Sequence, residues 1–392
     1  MPSARDSNPE RSVLFLYSET GGGHRTAAQA IDTELHRLAS PHGEPLRTRL
    51  VDAVAVCGEF PLRESILSYG TLLNVRPSPY AAIYHLSDGR KRYRVFGELG
   101  KPFIRRKFRR LIEETKPDLV VSVHPLLNVL ARETLDALGS KARLITVITD
   151  LVTIHHSWTA AGVSDHYFVP SPEAFEVCLE RDIPFARLHD FGLPIRDGFG
   201  PPAGDRSKQK AALGLNPRAP TLLVMAGGEG RGLIPRMLPE LAPLFRSLSI
   251  EAVIVAGRNA RLRRRLSKMS ALLESGATIL GFVENIAEYM RAADALLTKA
   301  GPGTIAEAAA SGLPVMIADY VAGQEFGNLD YVQRRGSGVV ALETPELAAV
   351  LARLFGDGGD ELARLRHRAL ASARPSAARD VAEFLLGLLK AV

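Results

Sequence analysis

One design occurs twice in this chain. "SVLFLYSETGGGHRTAAQAI" (12–31) passes from a continuous apolar run, through three consecutive glycines, into an alanine-rich segment. "TLLVMAGGEGRGLIPRML" (221–238) passes from an apolar run, through a loop with Gly227, Gly228, Gly230 and Gly232, into a second helical pattern. An unbroken apolar run of strand length is the mark of a strand buried on both faces, as in a parallel sheet. Glycines between such a strand and a helix let the backbone turn tightly and present N–H groups to an anion. Two such starts in one chain predict two α/β halves.

Other segments extend the pattern. "TRLVDAV" (48–54), "DLVVSVH" (118–124), "RLITVIT" (143–149) and "DHYFVPS" (165–171) read as further strands of the first half. "EAVIVAG" (251–257), "DALLTKAG" (294–301) and "LPVMIADY" (313–320) do so for the second. The alternation with helical patterns predicts doubly wound parallel sheets. The Gly-, Pro- and charge-rich stretch 195–220 is the candidate connection, and 344–392 reads as helical. The expected division is 1–198, 199–375, and a terminal helix over 376–392 packing back on the first half. Two Rossmann-like halves would face one central cleft with the carboxyl ends of their strands, where ligands bind in such sheets.

Composition narrows the function. The net charge is +6, which suits an anionic partner. Cys57 and Cys178 stand far apart in no metal spacing, which fits a reducing compartment. The start, "MPSARDSNPERS", lacks an apolar signal core, and no uninterrupted apolar run is long enough to span a bilayer. Any membrane contact is therefore expected to be peripheral. Neither glycine loop ends in the Gly-Lys-Ser/Thr of a P-loop, and "GGGHRT" departs from the dinucleotide fingerprint at its third glycine.

Two motifs in the second half are more specific. In "TKAGPGTIAEAAASGLPVMI" (298–317), Pro302, Gly303 and Thr304 open a helix whose amides and dipole would face an anion, with Thr304 a candidate cap. Glu307 is placed to hold a ribose diol, or else to close a capping box with Thr304. In "YVAGQEFGNLDYV" (320–332), Gln324 and Glu325 are an amide and a carboxylate suited to vicinal sugar hydroxyls.

These motifs together resemble the monogalactosyldiacylglycerol synthases, and more broadly the diacylglycerol glucosyltransferases and MurG, all of the GT-B type. The similarity runs from about residue 12 to about residue 340 in one order, with "VSVHPLLN", "VITDL" and "GLPIRDGF" between. The resemblance implies a nucleotide-sugar donor, UDP-galactose or UDP-glucose, a diacylglycerol acceptor, and inversion at the anomeric carbon. It implies that His24 is the base; Asp150, at the end of "RLITVITD", is read beside it as the alternative base or the group that orients it. It places Gly23, Gly303 and Thr304 at the donor phosphates, Glu307 at the ribose, and Gln324 and Glu325 at the sugar. Gly227, Gly228 and Glu229 join them as donor-binding candidates. The tryptophan segment, "TIHHSWTAAGV" (153–163), departs from plant members, which carry a proline there.

No Asp-x-Asp occurs and no His/Cys cluster has metal-ligand spacing, so neither a metal nor another cofactor is expected. Residues 90–110, "RKRYRVFGELGKPFIRRKFRR", interleave cations with Tyr93, Phe96, Phe103, Ile104 and Phe108. That pattern suits a segment lying on an anionic membrane, with Arg92, Phe96, Arg105 and Arg106 as contacts. No nucleic-acid motif accompanies it. Trp158 and His155 are read as acceptor-side residues, with Trp158 dipping into the interface. The expected location is the cytoplasmic side of the cell membrane.

Overall fold

The computed structural model describes residues 10–19, 23–42, 45–67, 84–89, 92–159, 162–202, 204–226, 232–356 and 359–391. The chain divides into two units, one of Met1–Arg196 with Ser376–Val392 and one of Asp197–Pro375.

The first unit is built on a parallel sheet in the order β2-β1-β3-β4-β5-β6. Its strands are β1 (Arg11–Tyr17), β2 (Leu46–Asp52), β3 (Leu119–Ser122), β4 (Arg143–Val147), β5 (His166–Val169) and β6 (Leu188–Asp190). The helices that matter to function are α1 (Gly23–Ala39), α2 (Ala53–Cys57), α3 (Leu62–Leu67), α4 (Arg92–Gly100), α5 (Arg105–Thr115) and α6 (Asn128–Ala137). Strand β1 shows why the sheet is buried on both faces. Val13 and Phe15 pack with Ile31 and Leu35 of α1, while Leu14 and Leu16 pack with Phe108 and Leu111 of α5. In α5, Phe108, Leu111, Ile112 and Thr115 are buried at helical spacing, leaving Arg105, Arg106, Arg109 and Arg110 outside.

The second unit repeats the plan with its sheet in the order β12-β11-β10-β7-β8-β9. Its strands are β7 (Thr221–Met225), β8 (Glu251–Val255), β9 (Thr278–Leu280), β10 (Ala295–Lys299), β11 (Val315–Asp319) and β12 (Gly338–Val340). Three of its helices are α7 (Ile234–Ser247), α8 (Pro302–Ala310) and α9 (Phe326–Arg335). The terminal helix α10 (Ala377–Lys390) belongs to the first unit, where Val381, Ala382, Leu385 and Leu389 share a core with α1.

Strand order fixes where each unit can bind. In the first, the chain leaves β1 toward β2 and returns to place β3 on the other side of β1. In the second, it leaves β7 toward β8 and returns to place β10 beside β7. The carboxyl ends of β1/β3 and of β7/β10 are therefore the topological switch points, where loops diverge and open a crevice. Strands β6, β9 and β12 were absent from the sequence reading. Each is three residues long at or near an edge, too short to carry a periodic signal. The strand expected to run to Val54 ends at Asp52, whose carboxylate accepts the Ala55 N–H at 2.9 Å and starts α2.

Candidate active site

At the switch point of the first unit two histidines meet. His24 lies in the first turn of α1. His124 follows β3, and the two rings stand 4.8 Å apart, edge to face. Both are buried. Burial pushes the His24 pKa down to about 4, against a backbone hydrogen bond to Val123 that raises it. Its place at the positive end of α1 acts in the same direction as burial. His124 is held well below the ordinary histidine range by burial and by His24. Both imidazoles are thus neutral at pH 7. His24 Nδ1 stands 3.1 Å from Thr149 Oγ1, two residues past the end of β4.

Behind them lies Trp158, 5.9 Å from the His24 ring between centroids. Its indole N–H donates to Asp150 Oδ2 at 2.6 Å. Asn128, at the start of α6, donates Nδ2 to the Trp158 carbonyl at 3.2 Å. Two buried polar atoms here, Ser18 Oγ and Asn128 Oδ1, have no partner among the described residues. A buried polar atom without a partner costs free energy. The sequence reading missed His124, Thr149 and Asn128. "VSVHPLLN" and "VITDL" contain all three, but nothing in their spacing announces that β1, β3 and β4 end side by side.

The second unit's switch point is opened by α8. Its cap is Gly301, with Pro302 in the first turn and no side-chain cap hydrogen bond. This corrects the sequence reading, in which Thr304 was the candidate cap. Thr304 lies inside the first turn, because Pro302 suits the first helical position and moves the cap three residues earlier, to Gly301. Glu307 is buried on this helix, one turn on, and the capping box with Thr304 falls with the cap. A Cβ added at Gly303 would meet nothing within 4 Å, and the same holds at Gly23. The protein's own packing therefore demands no glycine at either place.

Glu325 ends the turn that leads into α9, next to Gln324, and is buried. Its Oε1 pairs with Lys299 at the end of β10, and its Oε2 accepts the Val321 N–H at 2.8 Å. Asn328 donates Nδ2 to the Ala300 carbonyl at 2.8 Å. Thr298 Oγ1 and Asn328 Oδ1 are buried without partners among the described residues. On the other side of the switch, Asp319 accepts the Leu233 N–H at 2.8 Å and tethers the start of α7. Burial raises the Asp319 pKa, partly opposed by its hydrogen bonds to Leu233 and Tyr320.

Several sequence candidates stand elsewhere. Trp158 is fully buried and does not reach an interface, because its ring packs with Ile148, Ile154 and Tyr167 and its N–H is held by Asp150. His155 is also buried, with Nδ1 2.7 Å from Ser157 Oγ and Nε2 3.3 Å from Ser87 Oγ. His156 pairs with Asp88 at 2.7 Å. Tyr93, Ile104 and Phe108 point inward. Arg92, Arg105 and Arg106 are exposed. Gly227, Gly228 and Glu229 lie outside the described residues, as does the side chain of Phe96. Among the described residues no three His, Cys, Asp or Glu side chains converge as metal ligands.

Residues 24–195 match the family model for monogalactosyldiacylglycerol synthase, and residues 221–355 match the model for the C-terminal domain of glycosyltransferase family 28. A probable monogalactosyldiacylglycerol synthase of Nicotiana tabacum, named as chloroplastic, is 33% identical over 379 residues, covering 95% of this chain and 70% of that protein. The chain belongs to the monogalactosyldiacylglycerol synthase family. The synthase named monogalactosyldiacylglycerol synthase 1 of Arabidopsis thaliana is 30% identical over the same shares of both chains. Among solved structures, MurG of Acinetobacter baumannii superposes with a TM-score of 0.62 at 14% identity, covering 96% of this chain and 99% of that one. A UDP-glucosyltransferase of Polygonum tinctorium gives 0.64 at 15%, covering 97% and 99%. This family member is a glycosyltransferase of GT-B fold, with two Rossmann-like units.

Proposed function

We propose that this enzyme transfers galactose from UDP-galactose to the free hydroxyl of 1,2-diacylglycerol with inversion, giving a β-monogalactosyldiacylglycerol. The observation that carries the reading is that each unit places its chemistry at its own switch point. One holds a buried neutral histidine and the other the open positive end of α8. Family membership over nearly the whole chain supports the substrates.

In the proposed step the acceptor oxygen forms a bond to C1 of the sugar. The bond from C1 to the diphosphate oxygen breaks, and its electron pair leaves with UDP. The hydroxyl proton passes to His24, whose neutral imidazole can accept it, and then to solvent. Thr149 fixes the ring through Nδ1. Asp150 is better suited to orienting Trp158 behind the ring than to serving as the base. The amides of Gly303 and Thr304, with the dipole of α8, stabilise the growing charge on the diphosphate. Glu307 holds the ribose, while Gln324 and the Lys299–Glu325 pair shape the sugar pocket. No divalent cation is required, since an amide-lined helix end supplies the positive potential. The reaction takes place on the cytoplasmic side of an anionic membrane, with the enzyme bound peripherally.

The test measures UDP release and glycolipid product with UDP-galactose and UDP-glucose, with and without diacylglycerol, and with a chelator. Galactolipid formation that needs diacylglycerol and survives chelation is expected. Product from UDP-glucose alone would replace the donor, and donor turnover with no glycolipid would sink the acceptor assignment. UDP-glucose is the one alternative donor to retain, because the two sugars differ only in the configuration at O4.

A further inference from the structure

We propose that the first unit enters the acyl layer of an anionic bilayer through a ridge built from residues 56–60 and one face of α4, with the cations of α5 at headgroup level beside it. The proposal rests on the reading that the acceptor is a membrane lipid. It names a surface that the basic segment, taken as sequence, did not reveal.

The sequence pattern put aromatic anchors among the cations of 90–110, yet Tyr93, Ile104 and Phe108 belong to the core. The exposed apolar side chains come from two separate stretches. Phe60 is 76% exposed and Val56 57%, while Val95 and Leu99, one turn apart on α4, are 60% and 66% exposed. The stretches are tied together. Glu59 donates its N–H to the Phe103 carbonyl at 2.7 Å, and a Cβ at Gly100 would lie 3.3 Å from Leu62 Cδ1. The carboxylate of Glu59 stands 3.6 Å from Arg106 and 3.4 Å from Lys107. Phe60 therefore projects from the point where α4 and α5 meet, with cations immediately beside it. Arg94 and Arg105 meet no carboxylate among the described residues.

Charge selects the occupant. An apolar ridge edged by Arg94 and Arg105, beside the glutamate-paired Arg106, Lys107, Arg109 and Arg110, complements a surface with an apolar interior and anionic headgroups. A second copy of this chain would bring the same cations against these and be repelled.

The test uses Phe60→Trp and Leu99→Trp, with vesicles of mixed phosphatidylglycerol and phosphatidylcholine carrying brominated acyl chains. The native Trp158 is buried, so the added indole supplies the change. Both variants should shift to the blue and be quenched on binding. Phe185→Trp, placed on another exposed residue of the same unit, should do neither. Phe60→Asp with Leu99→Asp should weaken vesicle binding on the order of a hundredfold, from the loss of two large apolar side chains that insertion would bury. Activity on a short-chain diacylglycerol dissolved as monomer should persist. Vesicle binding without quenching of either tryptophan overturns the proposal, and so does self-association in lipid-free buffer that Phe60→Asp abolishes. The vesicle measurement needs neither donor nor chemistry. Insertion without any glycolipid formation would therefore sink the proposed reaction and leave the ridge, while the reverse result would do the opposite.

Discussion

The neutral state of His24 can be tested without assuming any activity. The perturbation is His24→Gln, which keeps a polar side chain in the first turn of α1 and removes the titrating ring. In the native protein the pKa is about 4, and in the unfolded chain it returns to the ordinary 6.5. Between those values the unfolded chain binds the proton and the folded one does not. Native stability is therefore fully present above pH 6.5 and falls as the pH drops toward 4. At about pH 5 the loss from this one ring is about 2 kcal/mol relative to about pH 7. His124, His155, His166 and His189 are also held below the ordinary value by burial, so the whole protein loses more than that. The difference between wild type and variant isolates His24. The assay is urea unfolding followed by tryptophan fluorescence at the two pH values. Trp158 is the only tryptophan, is fully buried and lies 5.9 Å from His24, so the signal reports the first unit alone. The variant should lose about 2 kcal/mol less than wild type on acidification, and somewhat less again because His124 no longer feels a second histidine. Equal losses in the two proteins would show that His24 is not a buried neutral ring, and the base assignment would lose its physical footing.

Substitutions at four further sites test the remaining geometry. Trp158→Phe removes the donor to Asp150 Oδ2 and leaves a buried carboxylate short of one hydrogen bond, so the first unit should lose about 2 kcal/mol by circular dichroism melting. Lys299→Met strands the buried Glu325 carboxylate and should cost about 3 kcal/mol, whereas Lys299→Met with Glu325→Met should recover most of it; a double variant as unstable as the single would mean the pair is not coupled. Gly303→Ala places its Cβ in open space and should leave the melting temperature unchanged or slightly raised while raising the donor KM. Gly232→Ala instead puts a Cβ 2.2 Å from Asp319 Oδ2 at φ +109° and should destabilise the second unit outright.

The doubled strand–glycine–helix design was legible because buried parallel strands are long and apolar, and glycine between strand and helix is rare without a reason. The same logic failed at the edges, where β6, β9 and β12 hold three residues each. It also misread side chains whose direction is set by tertiary packing. Phe108 sits among arginines in sequence, yet helical spacing turns it into the core with Leu111 and Ile112. Trp158 follows two histidines and a serine in a loop, and only the fold shows that Asp150 claims its N–H. His124 was passed over for a related reason. A histidine after a strand gains meaning only when the strand order puts it beside another, and β3 neighbours β1 rather than β2.

That adjacency also bears on how a base of such low pKa could serve. Against a group with pKa near 7, a ring at about 4 is the poorer proton acceptor by about 4 kcal/mol. The penalty arises chiefly from burial, which disfavours charge in the resting protein. On the proposed reaction the proton arrives as negative charge appears on the departing diphosphate, so the imidazolium forms opposite an anion that the resting site lacks. A buried ring then gains more from that anion than an exposed one would, because little water screens the pair. The His24 pKa should therefore rise when the site is occupied. The acid limb of kcat, which reports the complex, should lie above the acid limb of kcat/KM, which reports the free enzyme near pH 4. Coincident limbs, or a kcat/KM limb near 6.5, would place the base on another residue.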